Sequence, residues 1–199
     1  DGSQAPVGNV LIWSGEDEID DTLAPRLLQM GADKDRLRFI EGSRDPKTGK
    51  LRSFQPAIDM PRLMAKLDEL KSQYGWTPQI IIIDPLVAMQ AGKGDQNSNV
   101  DTRAALQVLV DFAIKNDCAA IGIHHSTKGT QGRNLVERIS GSLAVGALAR
   151  ITLFATRNRQ HDDDLTQPQR LFGRSKGSIG RDTPLTYGYR IKDGPIPVD

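Results

Sequence analysis

Four consecutive isoleucines, Ile80 to Ile83, run straight into Asp84. Successive side chains on a strand point to opposite faces, so such a run cannot keep one face wet. It predicts a strand covered on both sides, the setting of a parallel sheet between helices. Two other apolar runs end in polar groups. Val10-Leu11-Ile12-Trp13 leads into Ser14-Gly15-Glu16-Asp17, and Ala119 to Ile123 leads into His124-His125. Carboxylate, carboxylate and imidazole at the ends of neighbouring parallel strands would converge on one sheet edge. That edge is where open α/β sheets carry their chemistry.

The rest of the chain alternates strand and helix signals, which specifies an α/β fold with a mainly parallel sheet. Residues 17–30 carry a helical stripe of Ile19, Leu23, Leu27, Leu28 and Met30, closed by Gly31. Leu37 to Ile40 reads as a short strand, and residues 42–56 as a loop rich in Gly, Ser, Pro and charge. Asp59 before Met60-Pro61 reads as the N-cap of a helix that ends at Gly75. A second helix is expected from Asp101 to about Lys115, with Leu106, Leu109, Val110 and Ala113 inward. A buried strand over 119–123 follows, then a polar loop over 126–139. A Gly/Ala-rich segment over 141–149 leads to a strand from Ile151. Arg170 to Arg174 and Leu185 to Ile191 read as late strands, a candidate antiparallel pair. Residues 1–199 are expected to form one domain core.

Composition excludes several classes. Net charge is +1, so no global field points to nucleic acid or membrane, although a local basic face stays open. Cys118 is the single cysteine, which rules out a disulfide within the chain and fits a cytoplasmic protein. It is expected to pack as a small hydrophobe. No apolar run approaches the ~20 residues of a membrane span. Zinc has too few ligands at usable spacing, since the third histidine, His161, lies in a distant acidic stretch. No G-x-x-x-x-G-K-[ST] occurs, and Gly49-Lys50 and Gly92-Lys93 lack both the following Ser/Thr and the upstream glycine. The opening Asp1-Gly2-Ser3-Gln4-Ala5-Pro6 reads as a loop cut from a longer protein.

Five ordered blocks carry a family resemblance. They are Leu11-Ile12-Trp13-Ser14-Gly15-Glu16-Asp17, then Pro25-Arg26-Leu27 with Gly31-Ala32, then Ile82-Ile83-Asp84-Pro85-Leu86, then His124-His125-Ser126-Thr127-Lys128-Gly129, then Ser140-Gly141-Ser142-Leu143 running to Arg150. Together they resemble the RecA-like ATPases, in particular the branch of hexameric RepA-type replicative helicases of plasmids and prophages. The resemblance implies a three-layer αβα core, ATP and Mg²⁺ as cofactors, a homo-oligomeric ring, and single-stranded DNA as partner. It also implies a Walker A loop a few tens of residues before Asp1. Without that loop the chain alone is expected to hydrolyse ATP poorly or not at all. The sheet is expected to have a gap where the strand leading into that loop belongs.

By the same resemblance, Asp84 takes the Walker B position and holds Mg²⁺ through water. Glu16 takes that of the catalytic glutamate, ahead of Asp17, which could equally cap the next helix together with Ser14. His125, with His124 beside it, senses the γ-phosphate. Arg150 is the arginine finger acting on a neighbouring subunit, with Arg174 and Lys176 as second candidates. Lys93 and Arg103 in loop 90–103, and Lys128, Arg133 and Arg138 in loop 126–139, are candidate phosphate contacts for DNA. Lys50, Arg52 and the basic residues near Arg44 are expected to form a solvated face. Three alternatives remain open: a RecA-like regulatory or recombination ATPase without unwinding, a non-catalytic oligomerisation or DNA-binding module, and an unrelated metal-dependent α/β hydrolase.

Overall fold

A computed structural model describes residues 4–90, 99–125, 143–158, 166–178 and 186–191. Lys93, Lys128, Arg133 and Arg138 lie outside these residues. The chain forms two compact units, one of residues 1–95, 104–124 and 195–199, the other of residues 96–103 and 125–194.

The first unit is built on a four-stranded sheet. Its strands are β1 (Val10–Ser14), β2 (Leu37–Phe39), β5 (Ile80–Asp84) and β6 (Ala119–Gly122), in spatial order β2-β1-β5-β6. All three pairings are parallel. The isoleucine run is an inner strand, as its pattern requires. Ile81 and Ile83 are fully buried, and Ile80 and Ile82 are half-buried. Burying such side chains contributes about 1.5–3 kcal/mol each. Leu11, Ile12 and Trp13 of β1 pack beside them, with Met60, Leu67, Met89, Leu109 and Phe112 also buried.

Helix α1 (Ala24–Gln29) is preceded by a π-helical turn, Ile19–Leu23, and Gly31 follows it with positive φ. Helix α2 (Pro56–Tyr74) ends on Gly75 in the left-handed conformation, as expected. Its start is a correction. Proline at the first helical position sets the N-terminus at Gln55–Pro56. Asp59 therefore sits inside the first turn, reaching back to the Gln55 N–H at 2.8 Å, and Pro61 lies within the helix. Helix α3 (Asn99–Lys115) buries Leu106 and Leu109 and is tied to α2 by an ion pair between Lys115 and Asp68.

Two further expectations change. The stretch 42–56 contains a hairpin, β3 (Gly42–Arg44) with β4 (Leu51–Ser53). The turn is organised by Asp45, whose Oδ1 accepts the N–H groups of Lys47 and Thr48 at 2.8 Å each. These bonds hold the Asp45 carboxyl below its ordinary value. Strand β6 reads as buried in the sequence, yet all its residues are exposed, and Ile121 keeps 44% of its surface. The reason is topological: β6 is the outer strand, and only its β5 edge is paired among the described residues.

The second unit holds helix α4 (Leu143–Leu148) and an antiparallel sheet of β7 (Ile151–Arg157), β8 (Arg170–Gly177) and β9 (Thr186–Tyr189). The late strands are thus antiparallel, with β8 paired to both neighbours. A register irregularity falls between Thr152 and Leu153.

Candidate functional site

Parallel register decides what meets at the strand ends. Val10 stands opposite Ile80, and the match continues residue by residue until Ser14 stands opposite Asp84. The Gly15 N–H then donates to the Asp84 carbonyl at 2.7 Å, one step past the end of β1. This carries Glu16 to the same sheet edge as Asp84. On the other side of β5, Ile83 pairs with Gly122, and the Ile123 N–H donates to the Ile83 carbonyl at 2.9 Å. The two histidines follow directly.

Glu16, Asp84 and His125 each bring a ligand atom to within 4.8 Å of the others. Glu16 and His125 are exposed and Asp84 is half-buried. His124, the adjacent residue, is half-buried. Asp17 has a different engagement: its carboxylate pairs with Arg26 at 3.2 Å, both side chains being well exposed. Its backbone N–H, with that of Glu16, donates to Ser14 Oγ.

Two carboxylates and an imidazole are a chemically sensible donor set for a hard divalent cation. Mg²⁺ takes oxygen ligands and retains several waters, so it needs only one or two carboxylates. The residues present therefore fit Mg²⁺, with the imidazole better suited to hydrogen bonding than to ligating it.

The basic candidates are scattered. Arg150 is exposed just before β7, where its carbonyl accepts the Ser178 N–H at 2.8 Å. Arg174 lies half-buried within β8, opposite Leu153. Lys176 is committed locally: its Nζ donates to the carbonyls of Gly146 and Ala147, at 2.7 and 3.3 Å, near the C-terminal end of α4. Arg103 stands on α3 rather than in a loop, because the helix begins at Asn99.

A cluster that sequence reasoning missed lies elsewhere in the first unit. Asp59, 1% exposed, accepts two bonds from Arg52, at 2.7 and 2.8 Å, one from the Gln55 N–H, and one from Ser43 Oγ at 3.1 Å. Burial alone raises its carboxyl pKa. The Arg52 guanidinium, the Gln55 N–H and the Ser43 hydroxyl outweigh that and hold it below the ordinary value. Arg52 is therefore a structural partner and not part of a solvated face. An open groove of about 640 Å³ lies nearby, floored by Leu11, Phe39, Ile40 and Leu67 and edged by Arg62 and Lys66. Glu16, Asp84 and the two histidines do not line it.

These strand-end residues on a parallel α/β sheet are the arrangement of a RecA-like ATPase domain, and comparison with known proteins agrees. Residues 2–131 match the AAA domain family. The chain belongs to that family. No curated protein matches it. Among solved structures, it resembles a DnaB-like replicative helicase at TM-score 0.60 and 12% identity, over 89% of this chain and 48% of the other. It spans about half the length of that helicase. A second structure, of an isolated ATPase domain, matches at 0.60 and 12% identity, over 90% of this chain and 70% of that one. A KaiC-like protein from Pyrococcus horikoshii matches at 0.60 and 10% identity, over 93% and 72%. These likenesses show the fold. No helix among the described residues is long and apolar enough to cross a membrane.

Proposed function

We propose that this domain serves ATP hydrolysis in a ring-forming motor, a replication helicase of a mobile element. The observation that carries the reading is the β1–β5 register, which delivers Glu16 and Asp84 to one sheet edge. In this reading Asp84 holds Mg²⁺ through water, and the ion supplies charge neutralisation at the phosphates. Glu16 accepts a hydrogen bond from the attacking water and orients it. His125 donates to the γ-phosphate, with His124 behind it on the chain. The phosphate cradle and its lysine have no counterpart among the 199 residues, so hydrolysis requires a phosphate loop in addition to this sequence.

Arg150 is the proposed finger, acting on the nucleotide of a neighbouring subunit in a homo-oligomer, with Arg174 as the second candidate. Residues 1–199 form one ATPase core in this reading. Single-stranded DNA is the proposed partner, with Lys93, Arg103, Lys128, Arg133 and Arg138 as its phosphate contacts. The test is ATP hydrolysis by a protein that carries this segment together with a phosphate loop. Glu16→Gln and Asp84→Asn should each abolish turnover, with nucleotide binding retained in Glu16→Gln. Turnover unaffected by both would refute the assignment. DNA-dependent strand separation then distinguishes a helicase from an ATPase that times assembly only.

A further inference from the structure

Glu16 is exposed, on a loop just past the end of β1, and an exposed loop carboxylate has no reason of its own to keep one position. Three neighbouring features give it one. Ser14 Oγ accepts the N–H of Glu16 at 3.3 Å and that of Asp17 at 3.0 Å, closing a tight turn around the carboxylate's own backbone. The Gly15 N–H, between them, donates to the Asp84 carbonyl at 2.7 Å. The turn is thus fastened to the residue whose carboxylate it must face. Beneath it lies the ring of Trp13, 7% exposed and tilted against Phe54 with centroids 6.3 Å apart. A Cβ on Gly15 would stand 2.8 Å from Trp13 Cη2 and 3.1 Å from Cζ2. Close approach to a buried aromatic plate, not an unusual backbone conformation, is what requires glycine here.

We infer that Ser14 is a positioning residue, which with Gly15 and the Trp13 plate fixes the Glu16 carboxylate against Asp84. This rests on the proposed roles of Glu16 and Asp84. Ser14 itself touches no reacting atom; it acts through Glu16. Its hydroxyl bonds two solvent-exposed N–H groups, which find water when it is removed. Ser14→Ala should therefore fold normally and lose only the fixed turn.

The test uses the 199-residue chain, with Mn²⁺ as probe for the carboxylate pair and ¹⁵N relaxation as probe for the turn. Orienting partners of this kind are worth about 10–100-fold in metal affinity. Ser14→Ala should bind Mn²⁺ about tenfold more weakly by titration. The order parameters of Glu16 and Asp17 should fall from near ~0.85 toward ~0.6. Ser14→Thr, which keeps the hydroxyl, should restore both. Gly15→Ala should lower Mn²⁺ affinity with the hydroxyl intact, because its methyl group displaces the turn from the Trp13 plate. Asp84→Asn should abolish Mn²⁺ binding with the turn still ordered. If the wild-type chain binds no Mn²⁺ but Ser14→Ala still loosens the turn, the positioning stands and the ion assignment falls. Order parameters unchanged in Ser14→Ala, or lost in both Ser14→Ala and Ser14→Thr, would overturn the inference.

Discussion

Asp59 and Glu16 lie in the same compact unit and carry the same functional group, yet their surroundings divide them. Asp59 is buried, and its carboxylate receives two guanidinium bonds, a backbone N–H and a hydroxyl. With its acceptor sites taken up in this way, it can only hold β3, β4 and the start of α2 together. Glu16 is exposed, and the protein spends its hydrogen bonds on the backbone of that residue, leaving the carboxylate directed toward Asp84 and His125. The contrast teaches that a carboxylate's role is read from what its partners hold. Bonds to the carboxylate itself make a structural joint, and bonds to the backbone behind it make a presented reagent.

Mutation of each region should move a different observable. The largest effect is expected for Glu16→Gln: a loss of about 10²-fold or more in turnover of the phosphate-loop-bearing protein. Its denaturation midpoint should stay within about 0.5 kcal/mol of wild type. Asp59→Ala should do the reverse. Removing one member of a buried charge pair leaves a guanidinium and a hydroxyl unsatisfied, at a cost of about 3 kcal/mol in urea unfolding. Mn²⁺ binding at the strand ends should be unchanged. If Asp59→Ala abolished metal binding without lowering stability, the contrast would collapse.

Acid should sharpen the same distinction. The Asp59 carboxyl is held below its ordinary value in the folded state, so its contribution is fully present above the unfolded value. It is lost as pH falls through the lower folded value. Urea midpoints measured downward from pH 5 should therefore drop in the wild-type chain and drop less in Asp59→Asn. The smallest effect concerns Cys118. Burial, with the nearby Asp117 charge, pushes its thiol up to about 11. Alkylation by iodoacetamide at pH 8 should run well below the rate of an unhindered thiol and rise steeply only above pH 10.

Much of the first unit is legible in the sequence because its strands announce themselves. The isoleucine run can only be a covered inner strand, and the polar residues at the run ends locate the sheet edge. The Asp59 joint is hidden for a physical reason. Asp before Met60-Pro61 carries the local signature of a cap, and nothing local reports that Pro56 starts the helix earlier. Arg52 likewise reads as surface, because the carboxylate it meets is seven residues away and buried by tertiary packing. The hairpin has a usable signal in Asp45-Pro46-Lys47-Thr48-Gly49, a turn sequence between two short extended pieces. The exposure of β6 has none. Ala119 to Ile123 is as apolar as an inner strand, and only the order of strands in space places it outermost. Ser14 is visible as a cap, but its hold on Glu16 depends on the register with Asp84, which no single segment carries.

The outermost position of β6 has a consequence for exchange of backbone hydrogen with deuterium. Strand β5 is paired along both edges, so its amides open only with the sheet as a whole. In β6, alternate amides turn away from β5 toward the exposed side. Within one strand, neighbouring residues should therefore label on very different timescales, slow and fast in turn from Ala119 to Ile123, and that alternation would record the direction of every peptide group along the sheet's open margin.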